Sequence, residues 1–178
     1  NAIAAGIRIV MITGDHPETA AAVGRAIGIP SNLVVTGAEL AGFGRSELRQ
    51  AVATAGIFAR VTPEDKLLIV EVLKELGEIV AMTGDGVNDA PALKRADVGI
   101  SMGLRGSDVS REVSSLVLQD DNFATIVAAI EEGRGIYENI RKFIRFLFST
   151  NLAETSIIVF GVLGSIALGL KDPAGGML

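Results

Sequence analysis

The sequence contains no cysteine and no tryptophan, and it has a single tyrosine and a single histidine in 178 residues. Without cysteine there are no disulfides, no thiolate nucleophile and no thiolate metal site. A histidine-based zinc site or a Ser-His-Asp triad would have to rest on His16 alone, and a solvated loop residue is the simpler reading of that position. Basic residues are not in excess: the formal charge is -5. No basic run interrupts the acidic balance, which argues against a nucleic-acid partner. Residues 1–6 lack the basic start of a secretory leader and open in mid-pattern, as expected of a segment from a longer chain.

What the sequence does have is apolar residues, 49% of the total, with a mean hydropathy of +0.45. The excess lies after Phe143. Upstream of it, short apolar runs alternate with amphipathic ones. Strands are expected at 7–12, 33–36, 57–59, 78–83, 97–101 and 115–118. Helices are expected over 17–27, from Ser46-Glu47 to near Gly56, from Thr62 to Gly77, and briefly from Pro91. Within the third helix Ile69, Val72, Leu73 and Leu76 share one face. This alternation predicts an α/β fold, a Rossmann-like parallel sheet with helices on both faces. In such sheets sites lie beyond the carboxyl ends of the strands.

Three stretches place chemistry there. Ile79-Val80-Ala81-Met82 runs into Thr83-Gly84-Asp85-Gly86-Val87-Asn88-Asp89-Ala90-Pro91. Two carboxylates and a carboxamide on a glycine-rich turn suit Mg²⁺ beside a phosphate. Gly84 and Gly86 are expected to permit backbone conformations that a side chain would obstruct. Gly-Asp-Gly alone is a common turn. Two further features change its weight: a second apolar strand ending in Thr13-Gly14-Asp15, and Lys66 on the first turn of a helix opened by Thr62 and Pro63. A hydroxyl, a lysine and Mg²⁺-binding carboxylates at strand ends make a phosphate site.

After Asp120-Asp121-Asn122 the pattern changes. Asn122 reads as a helix cap, and residues 123–160 read as one helical run with Ile136, Ile140, Phe143, Ile144 and Leu147 on one stripe. Arg134, Arg141, Lys142 and Arg145 precede an apolar stretch, 146–170, of roughly 25 residues or about 37 Å of helix, enough to cross a bilayer. The basic flank would put the upstream domain on the cytoplasmic side. Asn151 and Glu154, three residues apart, share a face inside this stretch. A carboxylate there costs several kcal/mol unless paired, hydrated or bound to a cation. It either reaches interfacial water or forms a cation-ligand pair with Asn151.

Met11-Ile12-Thr13-Gly14-Asp15, Thr62-Pro63-Glu64-Asp65-Lys66 and the run from Thr83 to Lys94 closely resemble the P-type ATPases, ion pumps whose phosphorylation domain belongs to the haloacid dehalogenase superfamily. Asn151-Leu152-Ala153-Glu154 resembles the Asn-x-x-Glu of the fifth membrane helix in the type II calcium and sodium/potassium pumps. The resemblance implies a haloacid dehalogenase-like but incomplete fold, followed by a long stalk and transmembrane helix. It divides the chain into a partial phosphorylation domain (1–122), a cytoplasmic stalk (123–145), a membrane helix (146–170) and a truncated loop (171–178).

Carried over by motif, Asp85 would be the Mg²⁺ ligand, with Asp89 beside it orienting the site. Asn88, Lys66, Thr13 and the Gly14 N–H would contact the phosphoryl oxygens. Asp15 and Arg60 would sit toward bound nucleotide, although a surface arginine is the plain alternative for Arg60. Lys94 and Arg95 read as solvated. Asn151 and Glu154 would hold the transported cation. The implied cofactors are Mg²⁺ and ATP, the ATP held mainly by parts outside this chain. The implied partners are the rest of the pump, the lipid bilayer and a cation of the calcium kind, with no nucleic acid. The implied location is an integral membrane protein with its α/β domain in the cytoplasm.

One departure matters. The family phosphorylates the aspartate of Asp-Lys-Thr-Gly-Thr, which these residues do not contain; nor do they contain the Asp-x-Asp of the related soluble phosphatases or the Thr-Gly-Glu-Ser actuator loop. The chain by itself is therefore expected not to turn over ATP. A soluble phosphatase of the same superfamily and a non-catalytic, membrane-tethered regulatory module are the competing readings.

Overall fold

The structure, a computed structural model, describes residues 2–29 and 33–169. Contacts divide the chain into two units, 1–127 and 128–178. The first unit carries β1 (Met11–Ile12), α1 (Pro17–Ile27), β2 (Val34–Thr36), α2 (Gly37–Gly42), α3 (Arg45–Thr54), β3 (Ile57–Ala59) and α4 (Pro63–Glu75). It continues with β4 (Ala81–Gly84), a 3₁₀ turn (Val87–Asp89), α5 (Ala90–Arg95), β5 (Val98–Met102), α6 (Asp108–Val113) and β6 (Leu116–Leu118). A final helix, α7 (Phe123–Ala167), starts in the first unit and makes up all but the last two described residues of the second.

Among the described residues every ladder is parallel, as the alternation of strands and helices requires. The strands form two three-stranded sheets rather than one, in the orders β1-β3-β2 and β4-β5-β6. β1 and β4 are edge strands, each with one partnered side. A single core nonetheless includes residues of both sheets, with Phe58 of β3 and Met82 of β4 in the same cluster as Val52, Ile69 and Leu93. The predicted face of α4 is confirmed: Ile69, Val72 and Leu73 are buried, and Leu76 packs against the cluster from its edge.

β1 and β4 begin three or more residues later than the sequence predicts. β1 pairs with β3 over Met11 and Ile12 alone. Before β4, the Val80 N–H leaves the ladder and donates to Asp97 Oδ2 at 2.9 Å. The Lys74 ammonium and this N–H hold the Asp97 carboxyl below its ordinary range. Two six-residue helices, α2 and α6, were not visible as periodic patterns, being too short to repeat. Local chemistry starts them instead. Thr36 and Glu39 form a reciprocal capping box, and Ser107 Oγ accepts from the Ser110 N–H at 3.1 Å.

The expected cap of α7 is present, with Asn122 Oδ1 accepting from the Ala124 N–H at 2.9 Å. The helix runs 45 residues. It is long and apolar enough to cross a membrane, and none of its most apolar window is buried in the chain. Residues 170–178, which include the end of the expected membrane stretch and the expected truncated loop, lie outside the described residues.

Candidate active site

The carboxyl ends of β1 and β4 open on one cavity of about 360 Å³. Its lining includes Thr13, Gly14, Lys66, Asp85 and Asp89, drawn from all three motifs.

Lys66 enters from the first turn of α4. That turn is fixed by a capping box: the Asp65 N–H donates to Thr62 Oγ1 (3.2 Å), and the Thr62 N–H donates to Asp65 Oδ2 (2.8 Å). Pro63 supplies the preset φ at the first helical position. So anchored, the Lys66 ammonium donates to Asp89 Oδ1 at 2.6 Å, with side chains 18% and 11% exposed. The Gly86 N–H donates to the other Asp89 oxygen at 3.3 Å. Asp89 is thus engaged on both oxygens inside the protein. Asp85 is different: it is exposed, and its carboxylate has no hydrogen-bond partner among the described residues.

This donor set fits Mg²⁺. The ion prefers one or two carboxylates and keeps its remaining positions for water and phosphate oxygens. Among the described residues no three His, Cys, Asp or Glu side chains converge into an all-protein cage. The Asp85 carboxylate, without a partner among the described residues, faces an open cavity with room for a metal ion and an anion beside it, while both Asp89 oxygens are already hydrogen-bonded within the protein.

The backbone of Asp85 is held from below. Its carbonyl accepts from the Ser107 N–H (2.8 Å) and from Ser110 Oγ (3.2 Å), and Ser110 is fully buried. Neither serine was singled out from sequence, since their partner lies more than twenty residues away.

On the other wall, Thr13 Oγ1 donates to Asp15 Oδ2 (2.9 Å) and accepts from the Asp15 N–H (3.1 Å). Its own N–H donates to Phe58 O, so β3 fixes its height. Asp15, Asn88 and Arg60 are exposed and are not in the cavity wall. Arg60 has a positive φ of 53°, and its N–H donates to Asp15 O at 3.1 Å, which joins the two residues expected toward the nucleotide. Asn151 and Glu154 belong to the second unit, both exposed along α7.

The glycine argument from sequence needs correction. Neither Gly84 nor Gly86 has a positive φ. Gly84 is required for space: a Cβ there would lie 2.6 Å from Asp89 Cβ. Gly86 has only ordinary contacts. Gly84→Ala is therefore expected to destabilise the first unit by about 1–3 kcal/mol through overpacking, whereas Gly86→Ala changes much less. Denaturant midpoints of the two variants check the contrast.

Residues 2–97, just over half of the chain, match the haloacid dehalogenase-like hydrolase family. The chain belongs to the haloacid dehalogenase-like hydrolases. Curated relatives are far longer. A calcium-transporting ATPase of Bacillus subtilis is 54% identical over 93% of this chain and 19% of its own length. Calcium-transporting ATPase 1 of Yarrowia lipolytica is 51% identical over 94% of the chain and 18% of its own length. A cation-transporting ATPase, pma1, of Synechocystis is 53% identical over 93% and 18%. The chain thus spans about a fifth of the curated relatives it matches. A solved structure of the catalytic domain of the CPx-ATPase CopB-B, described for its conformational changes upon nucleotide binding, superposes with a TM-score of 0.56. It is 29% identical and covers 72% of this chain and 41% of its own. These relatives bear out the resemblance to P-type ATPases carried by the motifs of this haloacid dehalogenase-like domain.

Proposed function

We propose that this chain is the Mg²⁺- and phosphate-binding part, with one ion-ligating helix, of an ATP-driven cation pump of the P-type, transporting Ca²⁺. The observation that carries the reading is the convergence of Thr13, Gly14, Lys66, Asp85 and Asp89 on one cavity at the carboxyl ends of two parallel sheets. Relatives at about half identity that are named calcium- or cation-transporting ATPases support the cation and the ATP.

In this reading residues 1–122 are part of the phosphorylation domain, 123–145 the stalk and 146–170 the membrane helix, with the α/β domain cytoplasmic. The phosphorylated aspartate comes from elsewhere in the polypeptide. The topology is compatible with this: among the described residues β1 and β4 each have one unpaired edge, and both end on the cavity. A parallel strand laid along those edges would bring its carboxyl end to Asp85 and Lys66.

Asp85 would hold Mg²⁺, which neutralises charge on the phosphoryl oxygens. Lys66 supplies a second positive charge and Asp89 fixes where that charge sits. Thr13 and the Gly14 N–H donate to phosphoryl oxygens, and Asn88, on the 3₁₀ turn outside the cavity wall, would have to turn inward to reach the same group. Arg60 and Asp15 contact the nucleotide end.

Asn151 and Glu154 are the transport ligands. Ca²⁺ is an oxygen-seeking ion that a carboxylate and a carboxamide one helical turn apart suit. Glu154→Gln in the full-length polypeptide is expected to weaken Ca²⁺ activation of ATP hydrolysis about tenfold while leaving the folded domain's melting temperature unchanged. ATP-driven Ca²⁺ uptake into sealed vesicles measures it. Uptake with wild-type Ca²⁺ dependence in that variant would rule out the transport role of Glu154.

A further inference from the structure

The cavity has a second cation that no motif contains. Arg105 lies in the loop after β5 and, with Lys66, is one of two basic residues in the cavity lining. The loop is tied down along its length. The Gly103 N–H donates to Leu118 O at 2.8 Å, and Gly103 O accepts from Arg111 Nη1 at 2.9 Å. At the far end Ser107 holds the Asp85 carbonyl. A side chain at Gly106 would run into the Met102 carbonyl oxygen, so the turn closes tightly. In the middle, Asp121 grips the loop: Oδ1 accepts from the Leu104 N–H (3.0 Å), and Oδ2 accepts from the Arg105 N–H (3.0 Å) and from Arg105 Nε (3.2 Å).

Asp121 is built for this. Only 8% of its side chain is exposed, and its backbone takes φ 50°, a conformation aspartate tolerates better than most residues. The Leu104 N–H, with the Arg105 donors behind it, keeps its carboxyl below the ordinary range. The grip uses one of the five guanidinium N–H donors. The remaining donors, on Nη1 and Nη2, have no partner among the described residues, and the Arg105 side chain is 70% exposed. Lys66, by contrast, already has its ammonium on Asp89 at 2.6 Å. Lys66 keeps two of its three ammonium donors, whereas Arg105 keeps all four of its terminal N–H donors clear of any carboxylate, and a planar guanidinium suits a tetrahedral oxyanion.

We infer that Arg105 is an oxyanion-binding residue of the phosphate site, contacting a phosphoryl or phosphate group through its terminal nitrogens, and that Asp121 is its positioning residue. This rests on the phosphate-site reading above.

The test measures inorganic phosphate and orthovanadate binding, each with Mg²⁺, to the full-length polypeptide. Arg105→Gln is expected to weaken both anions about tenfold, and Arg105→Lys to recover part of the loss, since charge returns without the fork. Asp121→Asn should weaken binding in the wild-type background and add little to Arg105→Gln, as for two residues acting as a unit. Arg49→Gln, which removes an exposed ion pair with Glu75, should change nothing. Arg105→Gln removes the cation from the Asp121 carboxylate but leaves its two backbone donors, so some loss of stability is expected and binding is compared at a temperature at which each variant is folded. Wild-type protein that binds both anions while Arg105→Gln binds them within twofold would overturn the role of Arg105 and leave the phosphate site standing. Wild-type protein that binds neither anion would overturn the phosphate site and this inference with it.

Discussion

Asp85→Asn in the full-length polypeptide is expected to lower Mg²⁺-dependent phosphorylation from ATP about a thousandfold. The substitution keeps shape and removes one charge. Because the Asp85 carboxylate is exposed and unpartnered among the described residues, the fold should not register the change: unfolding free energy should stay within about 0.5 kcal/mol of wild type. The backbone carbonyl that anchors the turn to Ser107 and Ser110 is unaffected by a side-chain exchange. Loss of phosphorylation with retained stability would place Asp85 in the chemistry rather than in the fold, and a raised Mg²⁺ requirement would mark it as the metal ligand. Phosphorylation within tenfold of wild type at ordinary Mg²⁺ would remove Asp85 from that role.

Lys66→Met is expected to act on both activity and stability. Phosphorylation should fall about a hundredfold or more, because a preorganised positive charge is lost where phosphoryl charge lies. Stability should fall too, because Asp89 is left 11% exposed without its cation. Breaking a buried pair from one side costs about 3 kcal/mol or more. The double variant Lys66→Met, Asp89→Asn separates the two effects. It removes the stranded charge and should regain most of the stability while remaining inactive. Chemical denaturation and acid-quenched phosphorylation read the two quantities independently. A double variant as unstable as the single one would show that the pair is not what links Lys66 to the fold.

Much of this site could be read in the sequence, because its residues come from compact motifs at strand ends. Thr13, Lys66 and Asp85 are identifiable from a hydroxyl, a capped helix start and a glycine-flanked carboxylate, and the strand-end rule brings them together. The long-range partners are not identifiable in this way. That Asp89 spends one oxygen on Lys66 depends on a contact spanning 23 residues. Arg105 escaped notice because its loop carries no motif. The strand-end rule applied to β5 points to residues 103–106, but the hold of Asp121 on that loop is long-range, through three hydrogen bonds spanning 16 or 17 residues. The helix caps at Thr62 and Asn122 were legible because capping is local. The division into two sheets was not, because strand neighbours are chosen by partners far along the chain.

The most direct test of the central claim is phosphoenzyme formation. The full-length polypeptide would be incubated with radiolabelled ATP and Mg²⁺, with Ca²⁺ or with a Ca²⁺ chelator, then quenched in acid and treated with hydroxylamine. The result expected is a covalent phosphate that is stable in acid, labile to hydroxylamine as an acyl phosphate must be, and abundant only with Ca²⁺ present. No acyl phosphate under any cation condition, in protein shown to be folded, would contradict the assignment of this domain to an ATP-driven pump.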